Sequence, residues 1–425
     1  MGLITNYQKL NTSPQRKIVL DLIETALDSI SPENVFEKHL AFDRKRLKIQ
    51  DHTYDLESFD NIYLLGFGKG SAKNCAILER ILGKILTAGW VIDVVDQSFH
   101  RIEYTKGTHP VTSLANINFT QKVVNTLNNL NKNDLVLIVT CGGGSALLEL
   151  PTIPLDQKIA VDEALLKADA NIHDMNVVRK HLSKVKGGGL AEIISPAKII
   201  NLIFSDVPGN DLTTIASGPT VADPSTQEDA AGIYNKYKLW DKVKINKDDF
   251  TKTSSDPNTF EHIDNILFLS NLTALNAMKK KAEQSNINVQ VYSDHFQSEA
   301  TTAGPELVSK TQEGQILLAG GETTVDVKGS GIGGRNQELV LSALKNSASE
   351  NLTIASFDSD GWDNTAFAGA IGDTTTLKKA QDLNLDPQTY LNDNNTYKFF
   401  ESVGDGIETG RLPSNVSDLM IVYKK

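Results

Sequence analysis

Two strand-to-helix corners in the first half of the chain carry residue types that hold phosphate. In YLLGFGKGSAK, Gly66, Gly68 and Gly70 lie between an aliphatic run and a helix-like stretch, and Lys69 projects from the turn. Backbone N–H groups at such a corner point outward, glycine lets a ligand approach the backbone, and lysine adds a point charge. A tight turn with a solvated lysine accounts for the same residues. So does a dinucleotide-binding turn with Asp96 near the end of the next strand, although Ser71 stands where the third glycine of that fingerprint belongs. In LVLIVTCGGGSALLE, Cys141 leads into Gly142, Gly143 and Gly144 ahead of Ser145. Three consecutive glycines lose backbone entropy with no packing in return. A phosphate or carboxylate cradle with Ser145 as hydroxyl donor explains them, and the G-x-S-x-G elbow of a serine nucleophile is absent.

A third corner is basic. NVVRKHLSKVKGGGLAE carries Arg179, Lys180, Lys184 and Lys186 into Gly187, Gly188 and Gly189. These charges read either as the solvated face of a helix or as another anion-binding corner centred on Lys186, with His181 packed or on the surface. In INLIFSDVPGNDLTTIASGPTVADPS an aliphatic run ends at Ser205 and Asp206, beyond the carboxyl end of a strand, where ligands bind in parallel sheets. Asp206 is therefore a candidate to hold Mg²⁺ or orient a substrate hydroxyl, whereas Asp223, before a proline, reads as a turn cap. Further on, ILLAGGETTV supplies Glu322, and KGSGIGGRNQELVL supplies a glycine loop ending in Arg335, Asn336 and Glu338. The planar fork of arginine suits phosphoryl oxygens, though a hairpin and helix cap explain the same letters. SFDSDGWDNTAFAGA adds Asp358, Asp360 and Asp363, which are oxygen ligands of the kind Mg²⁺ takes or the caps of an aspartate-rich turn. Neither a Walker A lysine loop nor the protein-kinase signature set occurs.

These corners need a scaffold, and the intervening sequence supplies one. Aliphatic, β-branched runs at 62–65, 90–95, 135–140 and 199–204 alternate with helix-like stretches at 17–27, 72–86, 119–130, 173–182 and 230–237. That alternation is the pattern of a Rossmann-like, doubly wound α/β domain with a parallel sheet. The stretch from 242 to 263 turns polar and loses periodicity, as an interdomain connection does. Strand-like runs at 266–270, 289–293, 316–319, 352–357 and 419–423 then predict a smaller mixed α/β domain. The expected division is 1–245, a polar connection at 246–263, and 264–425. A chain of 425 residues, 40% apolar and 22% charged, is long enough for two cores. Its 42 Lys and Arg against 53 Asp and Glu give a net charge of −11, which argues against nucleic acid or an anionic membrane as the main partner. Cys75 and Cys141 have neither metal-like nor redox-like spacing, and no apolar run reaches membrane-spanning length. The expectation is a soluble cytoplasmic enzyme of small molecules, with self-association left open.

The order of GFGKGSA, GTHPV, CGGGSALLELP, VVRKHLSKVKGGGLA, SDVPGNDLTTIASGPTVADPST, GGETTV and GIGGRNQEL resembles the glycerate 2-kinases of the MOFRL type over nearly the whole chain. The resemblance implies an active site in a cleft between the two domains. It also implies ATP as co-substrate and Mg²⁺ or another divalent cation as cofactor, for phosphorylation of the 2-hydroxyl of D-glycerate. Residue by residue, it implies Lys69 and Arg335 at the reacting phosphate. Gly68, Gly143, Gly144, Ser145, Arg179 and Lys186 would line an anion-binding wall. Asp206, Glu322, Asn336 and Asp360 would complete the polar lining, with Asp206 and Asp360 as metal candidates. An NAD(P)H-dependent hydroxypyruvate reductase and a kinase of another short hydroxy acid are the alternatives. Two segments depart from the family pattern. FDSDGWDNT keeps Asp360, Gly361 and Asp363 but loses a Gly-Pro pair to Trp362 and Asn364, and GRLPSNVSD keeps Asn415, Val416 and Asp418. Trp362 and Arg411 are the residues expected to narrow or recharge a pocket.

Overall fold

A computed structural model describes residues 2–347 and 351–425. The described chain forms two compact units, one of residues 36–205 and 210–268, the other of 2–35, 206–209 and the chain from 269 onward.

The first unit opens with a small antiparallel sheet of β1 (Leu40–Phe42), β2 (Arg46–Ile49) and β3 (His52–Asp55). Its main sheet contains β4 (Asn61–Phe67), β5 (Ala88–Asp93), β6 (Ile102–Lys106), β7 (Asp134–Thr140), β8 (Lys198–Phe204) and β9 (Ile263–Leu269). Their spatial order is β6-β5-β4-β7-β8-β9, and β4 to β8 run parallel. Counted within the sheet this is 3-2-1-4-5-6, the doubly wound dinucleotide-fold order, in which ligands bind at the carboxyl ends of strands 1 and 4. Here those strands are β4 and β7. Every residue of β7 is buried, as a strand covered on both faces requires. Leu65, Phe67, Val136 and Ile138 share a core with Phe119, Val123 and Leu127 of the helix Leu114–Leu127. A separate cluster centred on Tyr234, Trp240 and Phe250 joins the helices Leu155–Lys167, Ile172–His181 and Gln227–Lys236.

The second unit holds a mixed sheet of β10 (Asn288–Phe296), β11 (Gln315–Gly321), β12 (Leu352–Asp358), β13 (Gly369–Asp373), β14 (Gly406–Ile407) and β15 (Asp418–Lys424). The order is β10-β11-β15-β12-β13-β14, with β10 and β11 parallel and the other pairs antiparallel. Central β15 pairs Asp418 with Gly321 on one side and Asp358 on the other. The ends of three strands therefore meet at one edge. The helix Arg335–Ser347 packs Leu339, Val340 and Leu344 into the core beneath them.

The units differ from the division expected from sequence. The run at 266–270 was expected to open the second domain but is β9, the last strand of the first sheet, where Asn265 bonds to Asn201 and Thr220. The polar stretch 246–263 is packed against the first unit: Phe250 is buried, and Thr251 and Ser254 donate backbone bonds to His181 and Gly187. The helix Pro14–Ser29, expected in the first domain, belongs to the second unit, because its buried Arg16 is bound by Asp373 and Asp405. Among the described residues no helix is long and apolar enough to cross a membrane.

Candidate active site

The carboxyl ends of β4 and β7 carry the two glycine corners, and the corners are bonded to each other. Lys69 N–H donates to the Gly142 carbonyl and Cys141 N–H to that of Phe67. Gly68 sits at φ 104°, and a Cβ there would lie 2.3 Å from the Cys141 carbonyl oxygen, so only glycine lets the loops touch. The first corner is not an open anion site. Buried Asp93, at the end of β5, accepts from Gly70 N–H (2.9 Å) and Ala72 N–H (3.0 Å) and already occupies the N-terminus of the helix Ser71–Leu82. Burial pushes its carboxyl upward while the N–H groups of Ala72, Val94 and Gly70 pull it back. Asp96, the residue considered for a dinucleotide ribose, is exposed and paired with Lys106.

The second corner is open. Gly144 N–H bonds back to Cys141, but the N–H groups of Gly142, Gly143 and Ser145 reach no protein acceptor among the described residues. Such a run of free N–H groups forms an anion-binding concavity. Gly143 is left-handed, and a Cβ there would meet the His109 ring at 2.8 Å and Lys69 Cε at 3.4 Å. Lys69 is exposed, with no carboxylate partner among the described residues. Ser145 Oγ pairs with Ser217 Oγ at 2.8 Å. Ala216 and Ser217 both have positive φ (50° and 62°), strain of the kind that accumulates at functional sites. Sequence reasoning missed His109 and Ser217. His109 lies in the GTHPV motif that contributed to the resemblance, whereas nothing in the letters IASGP marks Ser217 as left-handed.

The third corner differs from its expected role. Gly187 and Gly188 N–H bond to the carbonyls of Ser217 and Gly218, so the loop is zipped onto its neighbour. Lys186 is buried with Nζ 2.7 Å from Glu149; burial drives its ammonium below the ordinary range, against the pull of Glu149. Arg179 binds Asp162, which also binds Lys158. Both cations of the expected wall are thus committed to internal carboxylates. Buried His181 uses both ring nitrogens, on the Thr251 carbonyl and Ser225 Oγ.

In the second unit, three carboxylates hold Arg335. Nε meets Asp418 at 2.7 Å, one terminal nitrogen meets Glu322 at 2.6 Å and the other meets Asp358 at 3.2 Å. Burial works against its charge, but these carboxylates outweigh that and hold the guanidinium above its ordinary range. Asp418 is itself pushed up to about 6 by burial, against the pull of Arg335 and Asn336. Burial and the neighbouring Asp418 and Asp360 raise Asp358 as well. Asp363 points away from any metal position, since it accepts from Asn336 and Gln337 N–H and caps their helix. Asp360 accepts from Trp362 N–H and faces Arg411, whose guanidinium lies 4.2 Å from the Trp362 ring centre. The two departures from the family pattern are therefore partners in space. The backbone carbonyl of Asp206 accepts from Ser417, next to Asp418. Among the described residues no three His, Cys, Asp or Glu side chains converge as a metal cage. A cavity of about 830 Å³ opens over Arg335, lined also by Glu322, Glu338, Trp362 and Asn394.

Comparison with known proteins gives this geometry a family. A model described as a domain of unknown function, DUF4147, matches residues 18–249, and the MOFRL family model matches 315–418. D-glycerate 2-kinase of Thermotoga maritima is 33% identical over 96% of this chain and 97% of its own, and glycerate 2-kinase of Pyrococcus horikoshii is 33% identical over 96% of each. The crystal structure of glycerate kinase from T. maritima superposes with a TM-score of 0.86 at 31% identity, covering 96% of this chain and 99% of that one. The fold and site define an α/β enzyme with glycine corners at a topological switch point. The chain belongs to the MOFRL-type glycerate kinase family.

Proposed function

We propose that this enzyme transfers the γ-phosphate of ATP to the 2-hydroxyl of D-glycerate, giving 2-phosphoglycerate. The observation that carries the reading is the open 142–145 cradle beside the uncommitted ammonium of Lys69, at the switch point of the parallel sheet. Phosphoryl transfer asks a protein mainly to position reactants and stabilise charge. The cradle, with Ser145, holds one anionic group of the substrate pair, and Lys69 adds the charge that a phosphate in transit needs. Arg335, locked in orientation by Glu322, Asp358 and Asp418, keeps the remaining N–H donors of its fork for a phosphate oxygen. Mg²⁺ delivered with ATP takes one or two carboxylates and several waters and so needs no three-residue cage; Asp206 and Asp360 are the ligands we assign to it. Bound there, it would neutralise phosphate charge. A reductase reading loses its main support, because Asp93 fills the helix N-terminus that a dinucleotide pyrophosphate would use.

The test is an acceptor screen with Mg·ATP, coupling D-glycerate to enolase without a mutase and reading the product by phosphorus NMR. Lys69→Ala is expected to lower kcat/KM by about 10²-fold or more while leaving the melting temperature nearly unchanged, because the side chain is exposed. NADH oxidation with hydroxypyruvate, or 3-phosphoglycerate as sole product, would overturn the reading.

A further inference from the structure

The exposed side chain of His109 lies beside the open cradle. Its ring lies against Gly143, where even a single added methyl would come within 2.8 Å of Cδ2 and 2.9 Å of Nε2. The segment that carries it is clamped. Fully buried Asn116 accepts from Thr108 N–H and donates to the carbonyls of Thr108 and Ala146, and Thr112 donates to the same Ala146 carbonyl. The 108–112 segment is thereby tied to the far end of the cradle, with His109 between the two attachments. Neither ring nitrogen of His109 has a hydrogen-bond partner among the described residues, unlike those of His181. The residue is exposed, so both nitrogens are open to solvent and to a ligand seated on the cradle.

Resting on the kinase reading above, we propose that His109 is the catalytic base, taking the proton of the acceptor hydroxyl as its oxygen attacks phosphorus. The balance is simple. The hydroxyl oxygen bonds to the γ-phosphorus, the bond from that phosphorus to the bridging oxygen of ADP breaks with its electrons leaving on ADP, and the hydroxyl proton passes to a ring nitrogen. An acceptor whose anionic group sits on the N–H groups of Gly142, Gly143 and Ser145 has its neighbouring hydroxyl beside the ring, since ring and cradle meet at Gly143. The charge environment suits the role. Burial first, and Lys69 second, hold the imidazole below its ordinary value, so it is neutral and able to accept a proton at neutral pH. Among the described residues, Lys69 is the charged group that acts on it.

The experiment compares wild type with His109→Gln, which keeps the shape and loses the base. Wild-type kcat/KM should fall on the acid side through a limb below about 6.5, the ordinary histidine value. His109→Gln should fold normally by thermal melting, lose about 10²-fold in kcat and lack that limb, with KM for ATP little changed. In the free enzyme, NMR titration of the His109 ring should give a midpoint that rises in Lys69→Met. Retention of full kcat and the same acid limb by a folded His109→Gln would overturn the role while leaving the kinase reading intact. Absence of D-glycerate turnover in the wild type would instead overturn both.

Discussion

Two aspartates do matching work. Asp93 accepts from the N–H groups that open the helix Ser71–Leu82, and Asp363 does the same for the helix Arg335–Ser347. Each supplies the built-in anion that a free helix N-terminus would otherwise take from solution. This is why one of the three glycine corners of the parallel-sheet unit stays open and the first does not. Glu338, on the wall of the second unit's cavity, shows the opposite situation. Among the described residues its carboxylate accepts one bond, from Asn394 Nδ2 at 3.2 Å. Burial first, with Glu299 and Asp363 adding repulsion, pushes its carboxyl up to about 6. The folded protein thus binds the proton more tightly than the unfolded chain does, so the benefit is complete below the unfolded value, near 4.3, and is lost as pH rises through about 6. The expected outcome is that the melting temperature of Glu338→Gln, relative to wild type, climbs between about pH 4.3 and 6 and then levels. A difference flat across that range would contradict the assignment.

At the scale of elements, the site in the second unit is made by strand ends. Antiparallel pairing of β15 with β11 and β12 brings Asp418 beside Gly321 and Asp358, and Glu322 follows directly. Arg335 can meet all three only if its helix starts where Asp363 fixes it. Asp363→Ala is expected to strand the two buried backbone N–H groups of Asn336 and Gln337, destabilising the fold by about 3 kcal/mol. It should also lower kcat, because Arg335 loses its register, whereas Asp360→Asn should leave the unfolding free energy nearly unchanged. Denaturant unfolding and steady-state kinetics on the two variants measure both effects. Much of this was legible in the sequence. The aliphatic runs of β4, β5, β7 and β8 announced a parallel sheet, and the glycines at 66–70 and 142–144 announced corners that approach something closely. Hydrogen-bond ownership could not be read. Nothing local tells that Gly187 and Gly188 donate to Ser217 and Gly218, that Lys186 turns inward to Glu149, or that Asp363 reaches back 27 residues to Asn336. Those facts depend on pairings distant in sequence, and a lysine or aspartate has the same letter whether it faces solvent, a ligand or an internal counter-charge.

The same limit explains the division of the whole chain. Amphipathic spacing marked residues 17–27 as a helix, but helices carry no label for the sheet they cover. The structure puts the helix Pro14–Ser29 in the unit of the mixed sheet, although residues 36–205 and 210–268, which form the other unit, lie between it and that sheet in sequence. Arg16 explains why it stays. Its side chain is fully buried, Nε meets Asp373 at 2.7 Å, the terminal nitrogens meet Asp405 and Thr376, and Lys379 adds a further bond to Asp405. The fork binds the start of one helix and the loop before β14 at once. Removing it leaves Asp373 and Asp405 buried with Lys379 bonded to Asp405 alone, a change that costs about 3–5 kcal/mol. Arg16→Met should therefore lower the unfolding free energy by about that amount, and Arg16→Lys should recover only part of it, since a single ammonium cannot bridge two carboxylates in the plane of a fork. The stronger form of the prediction concerns fragments. A polypeptide of residues 264–425 alone should show no cooperative thermal transition, whereas the same polypeptide joined through a flexible linker to residues 2–35 should regain one. A sharp transition in the short fragment would show that the N-terminal helix is an accessory to the mixed sheet and not part of its core.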